Sequence, residues 1–251
     1  MKLINNTNIY EANQHILVAV DCIIFGFDSK KLKLLLFKRK VEPSKGLWSL
    51  IGAFIKDEQS IDDGAKQILF ETTGLQDIYL EQLKTYGKVH RDIAGRVISI
   101  VYYSLISVNE FELESVEKYD AHWFDLDEIP ALIFDHGEMV KDAIEQLKTK
   151  ARHQPIGFNL LPNYFTIPEL QILYESIYQR PLDSRNFRKK IAVLITNLLA
   201  QNFCQTKPAM SASQIGHTLD LPIRLIRDLL NELTEANILS EVIMNSSKDV
   251  G

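Results

Sequence analysis

The sequence has little of several features that would identify particular classes of protein. It contains two cysteines in 251 residues, Cys22 and Cys204, so it has no disulfide framework and no zinc-binding spacing. Each cysteine falls in an apolar pattern typical of a buried thiol. No apolar run approaches the roughly 18 residues that a membrane span needs. The first residues also show no apolar core of a signal peptide, so we expect a cytoplasmic protein with no membrane partner.

An excess of charge of one sign is also missing. The net charge is −5, with 46% hydrophobic and 24% charged residues, which is ordinary for a soluble globular protein. The acidic excess lies in residues 1–150, whereas residues 151–251 are near neutral apart from one dense basic cluster. Bulk charge therefore gives no support to nucleic-acid binding, and only a local patch could provide it.

The hydrophobic pattern divides the chain into a mixed first part and a helical second part. Strands are predicted at 15–27, 32–37, 47–55, 78–89, 97–108 and 121–124, with helices near 60–73 and 137–151. A segment with two prolines follows, and helices are then predicted at 167–178, 183–202, 211–219 and 222–237, before an extended stretch at 238–244. We predict three segments, residues 1–152, 153–192 and 193–251.

The stretch GAFIKDEQSIDDGAKQILFETTGL, residues 52–75, has the strand, loop and helix of a diphosphate-cleaving site. Ser60 and Asp63 predict the start of the helix, and Gly74 predicts its end. The stretch resembles a Nudix box, in which a glycine precedes a loop and acids follow on one helical face. Carboxylates three and four residues apart share a face, where they bind divalent cations that activate water.

Most of the acids of such a box are absent. When the stretch is aligned on the last glycine of the box, the box positions fall on Gly52, Ala53, Gln59, Gln67, Ile68, Glu71, Thr72 and Gly74. Glu58 lies one residue before the first acid position, which is held by Gln59. Only Glu71 is an acid in register, and the apolar Ile68 cannot bind a metal. The resemblance therefore implies the fold of a Nudix domain without catalytic residues, metal or cofactor. Glu71 is then either a solvated or capping carboxylate or a contact to a ligand.

The segment NLLPNYFTIPELQILYESIYQRPLDSRNFRKKI, residues 159–191, contains the basic cluster. Asp183 or Ser184 would cap a helix on which Phe187 and Ile191 face the core while the cations face outwards. The segment resembles the start of the winged helix of Nudix-related transcriptional regulators of the NrtR/AraR type. The resemblance implies DNA contacts by Ser184, Arg185, Asn186, Arg188, Lys189 and Lys190. The alternative is a solvated basic helix face.

Beyond Lys190 the regulator pattern is expected to end. Residues 191–251 instead resemble the C-terminal winged helix of YihY-type (ribonuclease BN) proteins, which is compatible with a fusion. Its predicted helix-turn-helix carries Arg224 and Arg227 but also several acids. A packing or dimerising module and a second DNA reader both remain open.

The fold class implied by these resemblances is α+β, a Nudix-like α/β/α sandwich followed by an all-α winged helix-turn-helix region. The implied function is that of a homodimeric transcriptional regulator that binds operator DNA and senses a small effector, either a sugar such as L-arabinose or ADP-ribose. The lost metal face favours a neutral sugar. The candidate effector-binding residues are Arg39, Trp48, Phe54, Glu71, His90 and Arg91.

Two other classes of function remain open. One is a divergent Nudix hydrolase of nucleoside diphosphate sugars that uses Glu58 and Glu71, with the tail as an oligomer scaffold. The other is a binding module in which the basic helix has no DNA role. Trp48 is alternatively a core residue, and Arg39 is alternatively part of a solvated strand end.

Overall fold

The structure, a computed structural model, describes residues 15–108, 116–157, 160–161 and 165–203, with side chains as far as Ile195. The predictions for Cys204, for the helices 211–219 and 222–237 and for the stretch 238–244 lie outside these residues. So does most of the segment that resembles YihY-type proteins.

The described elements follow the predicted order. The strands are β1 Leu17–Phe27, β2 Leu32–Lys38, β3 Trp48–Ser49, β4 Ile51–Phe54, β5 Glu81–Tyr86, β6 Val97–Ser107 and β7 Ala121–Asp125. The helices are α1 Ile61–Thr73, α2 His136–His153, α3 Ile167–Tyr178 and α4 Ser184–Phe203, with a 3-10 turn at Val116–Tyr119. The strand predicted at 78–89 is shorter, because residues 87–96 form an irregular loop that begins and nearly ends with glycine.

The strand β1 organises the sheet. It pairs along its whole length with β6 in parallel, from Leu17↔Val97 to Phe27↔Ser107. Its other edge pairs antiparallel with β4 in the first half and with β2 in the second half. A strand paired on both edges and covered on both faces requires the continuous apolar sequence that is present here. The predicted burial of this strand on both faces is confirmed.

Two hydrophobic layers lie on opposite faces of the sheet. Alternate residues of β1 point to opposite faces, so Ile23, Phe25 and Phe27 pack towards α2 and Cys22 and Ile24 pack towards α1. Burial raises the pKa of the Cys22 thiol, which therefore stays protonated and serves as core packing. The result is an α/β/α sandwich, as the resemblance implied.

Both ends of α1 are formed as the sequence predicts. The Ser60 hydroxyl accepts a hydrogen bond from the Asp63 amide at 3.2 Å, which caps the N-terminus. Gly74 has φ 76°, a left-handed conformation that costs a glycine little, and its amide donates to the Phe70 carbonyl. These caps fix where the helix starts and stops relative to the loop 55–60.

The helices of the second part pack directly on α2. Leu160, Leu161 and Phe165 are buried in the same hydrophobic cluster as Leu147 and Ala151 of α2. The predicted boundary near residue 152 coincides with the end of α2 at His153, and it remains a prediction. Residues of α3 and α4, including Tyr174 and Phe187, complete this cluster, so the helical region is packed against the sandwich.

Candidate effector site and nucleic-acid interface

A cavity of about 670 Å³ lies between the loop 87–96 and the beginning of α2. Its walls are Ser44, Lys88, Val89, His90, Arg91, Ile93, Phe134 and Asp135. Two of the six predicted effector residues, His90 and Arg91, are therefore together in one cavity. Its volume is in the range of pockets that bind nucleotide-sized ligands.

Arg91 is the most buried cation of this cavity, with a side chain that is 3% exposed. Its guanidinium donates to both carboxylate oxygens of Asp135, from Nη2 at 2.7 Å and from Nε at 3.0 Å. A second carboxylate, that of Asp21, lies 3.9 Å from Nη2. This fork-to-fork pairing orients the guanidinium rigidly at the cavity wall.

A buried polar network lies beneath Arg91. The Ser99 hydroxyl donates to Asp21, whose other oxygen is 3.6 Å from His136 Nε2. The Leu50 amide donates to His136 Nδ1 at 3.1 Å, so Nδ1 is unprotonated and the neutral ring carries its proton on Nε2. Burial, the largest influence, lowers the pKa of His136, and the nearby Asp21 only partly opposes this.

The loop glycine of the box packs against the same network. A Cβ added to Gly52 would lie 2.2 Å from Asp21 Oδ1 and 2.6 Å from the Val20 carbonyl oxygen. Gly52 pairs with Asp21 across β1 and β4, so the two backbones are held in register. Position 52 therefore requires glycine for space.

Arg39 and Trp48 contact Phe134 and Ile133, the residues just before α2. The Arg39 guanidinium lies over the Phe134 ring at 5.6 Å, and its Nε donates to the Pro43 carbonyl at 2.7 Å. The Trp48 carbonyl accepts from the Ile133 amide at 3.1 Å. Its ring, however, packs edge-on against Phe124 with a centroid distance of 4.8 Å. Arg39 thus contacts Phe134, a wall residue of the cavity, but does not line the cavity itself, whereas the Trp48 ring packs as a core residue would.

Phe54 and Glu71 are not brought to this cavity. Phe54 ends β4 with 48% of its surface exposed. Glu71 lies on the exposed side of α1, where its carboxylate accepts from Gln67 Nε2 at 2.6 Å. The Gln67 side chain in turn accepts from Gln59 Nε2 at 2.7 Å. Three positions of the box, Gln59, Gln67 and Glu71, therefore form a chain of amide and carboxylate hydrogen bonds.

These residues do not fit the divalent cation that a Nudix box normally binds. Ile68 of α1 is buried in the core with Cys22 and Ile24 of β1, and Thr72 is uncharged. Glu71 is the one carboxylate left in register, and it is already hydrogen-bonded by an amide. Across the described residues, no group of three or more His, Cys, Asp or Glu side chains could hold a metal ion. Hard cations require several oxygen ligands, which these side chains do not supply.

The basic helix α4 has the orientation that the sequence predicts. Phe187 and Ile191 are buried against α3, whereas Arg185, Asn186, Arg188 and Lys189 are exposed. The Asp183 carboxylate accepts a hydrogen bond from the backbone amide of Asn186 at 2.8 Å. Asp183 therefore caps the helix, whose first residue is Ser184. Lys190 is half-buried, with Nζ 3.3 Å from the Tyr178 hydroxyl. The geometry presents one basic and polar face to solvent.

Several residues of the site were missed in the sequence. They are Asp21, Lys88, Ser99, Phe134, Asp135 and His136. The sequence did contain a signal that Asp21 belongs to a polar site, because a single acid within the buried apolar run VAVDCII needs a partner. The others had none, since only the tertiary fold brings the loop 87–96 to the start of α2.

The fold and these sites define a class of protein, a Nudix-fold domain with a degraded metal face joined to a helix-turn-helix with an outward basic surface. Comparison with known proteins agrees. The NUDIX domain matches residues 15–143, and the NrtR DNA-binding winged helix domain matches residues 157–207. That second match continues past Lys190, where the sequence had suggested that the regulator pattern ends.

Three known proteins are similar over much of their length. The ADPR responsive transcriptional repressor NtrR of Acinetobacter baylyi is 31% identical over 179 residues, covering 70% of this chain and 72% of that protein. The crystal structure of Shewanella oneidensis NrtR has a TM-score of 0.61 at 31% identity, covering 70% of this chain and 84% of that one. An ADP-ribose pyrophosphatase of Methanocaldococcus jannaschii is 36% identical over 133 residues, 53% of this chain and 76% of its own.

The chain belongs to the NrtR family of Nudix-related transcriptional regulators, with a Nudix domain followed by the NrtR-type winged helix. Across the described residues, no helix is both long and apolar enough to cross a membrane.

Proposed function

We propose that this protein is a DNA-binding transcriptional regulator whose Nudix domain senses ADP-ribose without a divalent metal. The observation that carries this proposal is the cavity lined by Lys88, His90 and Arg91, which lies apart from the hydrogen-bonded Gln59–Gln67–Glu71 chain. Cationic side chains suit the negative charge of a diphosphate, and the half-buried Phe134 ring offers an apolar face. The A. baylyi relative is named as ADPR responsive.

The cavity removes the main reason for preferring a neutral sugar as the effector. That preference depended on the missing metal, because without a metal a diphosphate would lack the counter-charge that it usually has. Here Lys88, which pairs with the exposed Glu138 carboxylate, and the nearby Arg39 can supply positive charge, whereas the Arg91 guanidinium is already paired with Asp135. Two of the three similar proteins named above carry ADP-ribose in their names, and none carries arabinose. ADP-ribose is therefore the better-supported effector.

For DNA, the support comes from α4 and from the winged-helix match. Arg185, Asn186 and Lys189 are exposed on one side of the helix while Phe187 anchors the other. Arginine and asparagine are the side chains that read base edges best, and lysine suits phosphates. A structure of S. oneidensis NrtR with a 27mer DNA, at TM-score 0.61 and 31% identity, covers 69% of this chain. A homodimer would present two such helices to a palindromic site.

Thermal unfolding of the full chain with ADP-ribose tests the effector. We expect ADP-ribose to raise the melting temperature equally with Mg²⁺ and with EDTA, and L-arabinose to leave it unchanged. Lys88→Ala should reduce the shift, because Lys88 lines the cavity. Lys84→Ala is the matched control, since both lysines pair with carboxylates on α2 but only Lys88 lines the cavity. A shift that requires Mg²⁺, or that is equal in both variants, would contradict the proposal.

The second candidate function is ADP-ribose hydrolysis, favoured by the identity with the M. jannaschii pyrophosphatase. Its test is product formation from ADP-ribose and Mg²⁺, with Glu71→Gln as the variant. We expect no turnover by the wild-type chain, because Ile68 and Thr72 replace two of the acids. Turnover that Glu71→Gln abolishes would establish an enzyme.

A further inference from the structure

A second group of cations lies where the Nudix domain meets the winged helix. A cavity of about 320 Å³ is lined by Arg152 from the end of α2, Arg180 from the α3–α4 loop and Lys190 from α4. A neighbouring cavity of about 500 Å³ is lined by Arg152 again, with Lys189 and Lys190. We call Arg152, Arg180, Lys189 and Lys190 the junction cluster.

The charge of the junction cluster is poorly compensated. Lysines of the sandwich, such as Lys31, Lys84 and Lys150, form salt bridges with carboxylates. Within the part of the chain that the structure describes, none of the four junction cations forms one. The one acid in the walls of the two cavities is Asp183, and its Oδ1 already caps α4 by accepting a hydrogen bond from the Asn186 backbone amide. Like charges converge only at a cost unless an anion joins them.

An aromatic ring orients two of these cations. Lys190 Nζ lies 5.4 Å and Arg180 Cζ lies 6.0 Å from the centre of the Tyr178 ring. Lys190 Nζ is also 3.3 Å from the Tyr178 hydroxyl. Stacking on a ring restricts a long side chain, so less entropy is lost when an anion binds. The cluster is therefore a partly organised anion site.

We infer that the junction cluster binds the phosphodiester backbone of DNA, so that the Nudix domain itself contributes a DNA contact through Arg152. This rests on the proposed DNA-binding function. The cluster is continuous with the basic face, because Lys189 and Lys190 follow Arg185 and Arg188 on the same helix α4. A duplex whose bases meet Arg185 and Asn186 carries phosphates on either side, and guanidinium groups bind phosphate in two-pronged fashion. The alternative role of Arg152 is to compensate the negative end of the α2 dipole.

The salt dependence of duplex binding separates these roles. The probe is a mixed-sequence duplex of about 30 base pairs, roughly three helical turns, because phosphate contacts do not depend on sequence. The slope of log affinity against log salt falls by about 0.9 for each phosphate contact that is lost. We expect Arg152→Gln and Arg180→Gln each to lower the slope by about this amount while the melting temperature and the ADP-ribose shift stay unchanged. Lys141→Gln, also exposed on α2 but outside the cluster, should leave the slope unchanged.

The inference would be overturned if Arg152→Gln kept the wild-type salt slope. It would also be overturned if Arg152→Gln lowered only the melting temperature, which is the result expected when Arg152 merely compensates the α2 dipole. A free phosphate ion is the other ligand that the junction cluster could bind. If Arg152→Gln abolished stabilisation by inorganic phosphate while keeping the duplex slope, the inference would also fail. If the wild-type chain bound no duplex at low salt, the proposed DNA-binding function would fail with it.

Discussion

Replacement of Arg91 by methionine should destabilise the protein even without a ligand. The guanidinium is 3% exposed and satisfies Asp135, which is 13% exposed, with Asp21 nearby at 9%. Removing one partner of a buried ion pair costs about 3–5 kcal/mol, because the remaining charge is left desolvated. Asp135 also lines the cavity, so water can reach it, and we expect the lower value, about 3 kcal/mol. That corresponds to a fall in melting temperature of roughly 6–12 °C.

Urea unfolding gives the free energy of unfolding directly, and three further variants test the reasoning: Lys84→Met, Asp135→Leu, and the double variant of Arg91→Met with Asp135→Leu. Lys84→Met breaks the exposed Lys84–Asp142 pair, whose lysine side chain is 51% exposed, and should cost less than about 1 kcal/mol. Adding Asp135→Leu to Arg91→Met should recover part of the loss, because no orphaned carboxylate then remains at that position. The reasoning is refuted if Arg91→Met costs no more than Lys84→Met, or if the double variant loses the sum of both single changes.

Three further predictions concern the network and the box. Gly52→Ala should cost about 1–3 kcal/mol in thermal unfolding, because its Cβ would lie 2.2 Å from Asp21 Oδ1, whereas Gly95→Ala, with nothing within 4 Å, should change little. An unfolded imidazole gains its proton near pH 6.5, whereas His136 has a lowered pKa in the folded state. Below that pH the unfolded state therefore binds more protons, so stability should fall from about pH 7 to pH 5, and His136→Gln should show a smaller fall in melting temperature. Ile68→Glu should lower the free energy of unfolding in urea by about 3 kcal/mol or more and should restore no hydrolysis, since position 68 is 7% exposed. A folded Ile68→Glu variant with Mg²⁺-dependent turnover would contradict this prediction.

The elements could be predicted where the local pattern decides them. The continuous apolar run of β1 requires cover on both faces, and the Ser60 and Gly74 caps define α1 because their chemistry acts within a few residues. The outward direction of Arg185 and Lys189 follows from Phe187 and the helical period. Each of these inferences depends on neighbours in sequence.

The candidate site could be predicted only in part, because it is assembled across the fold. Arg91 and Asp135 are separated by 44 positions, and Asp21 and Ser99 by 78. No local period reports such a pairing. The sequence analysis grouped Phe54 and Glu71 with His90 and Arg91, whereas the cavity that contains His90 and Arg91 lies between a loop and a helix start. The residues that define a binding site are here contributed by irregular segments.

Helix α2 connects the two candidate sites. Its 18 residues form a rod about 27 Å long at 1.5 Å per residue. Asp135, which directly precedes its first turn, is paired with Arg91 in one cavity, and Arg152 in its last turn lines another cavity with Lys190. The cavity at Arg91 and the junction cluster therefore lie at opposite ends of one continuous helix, which is buried against the sheet.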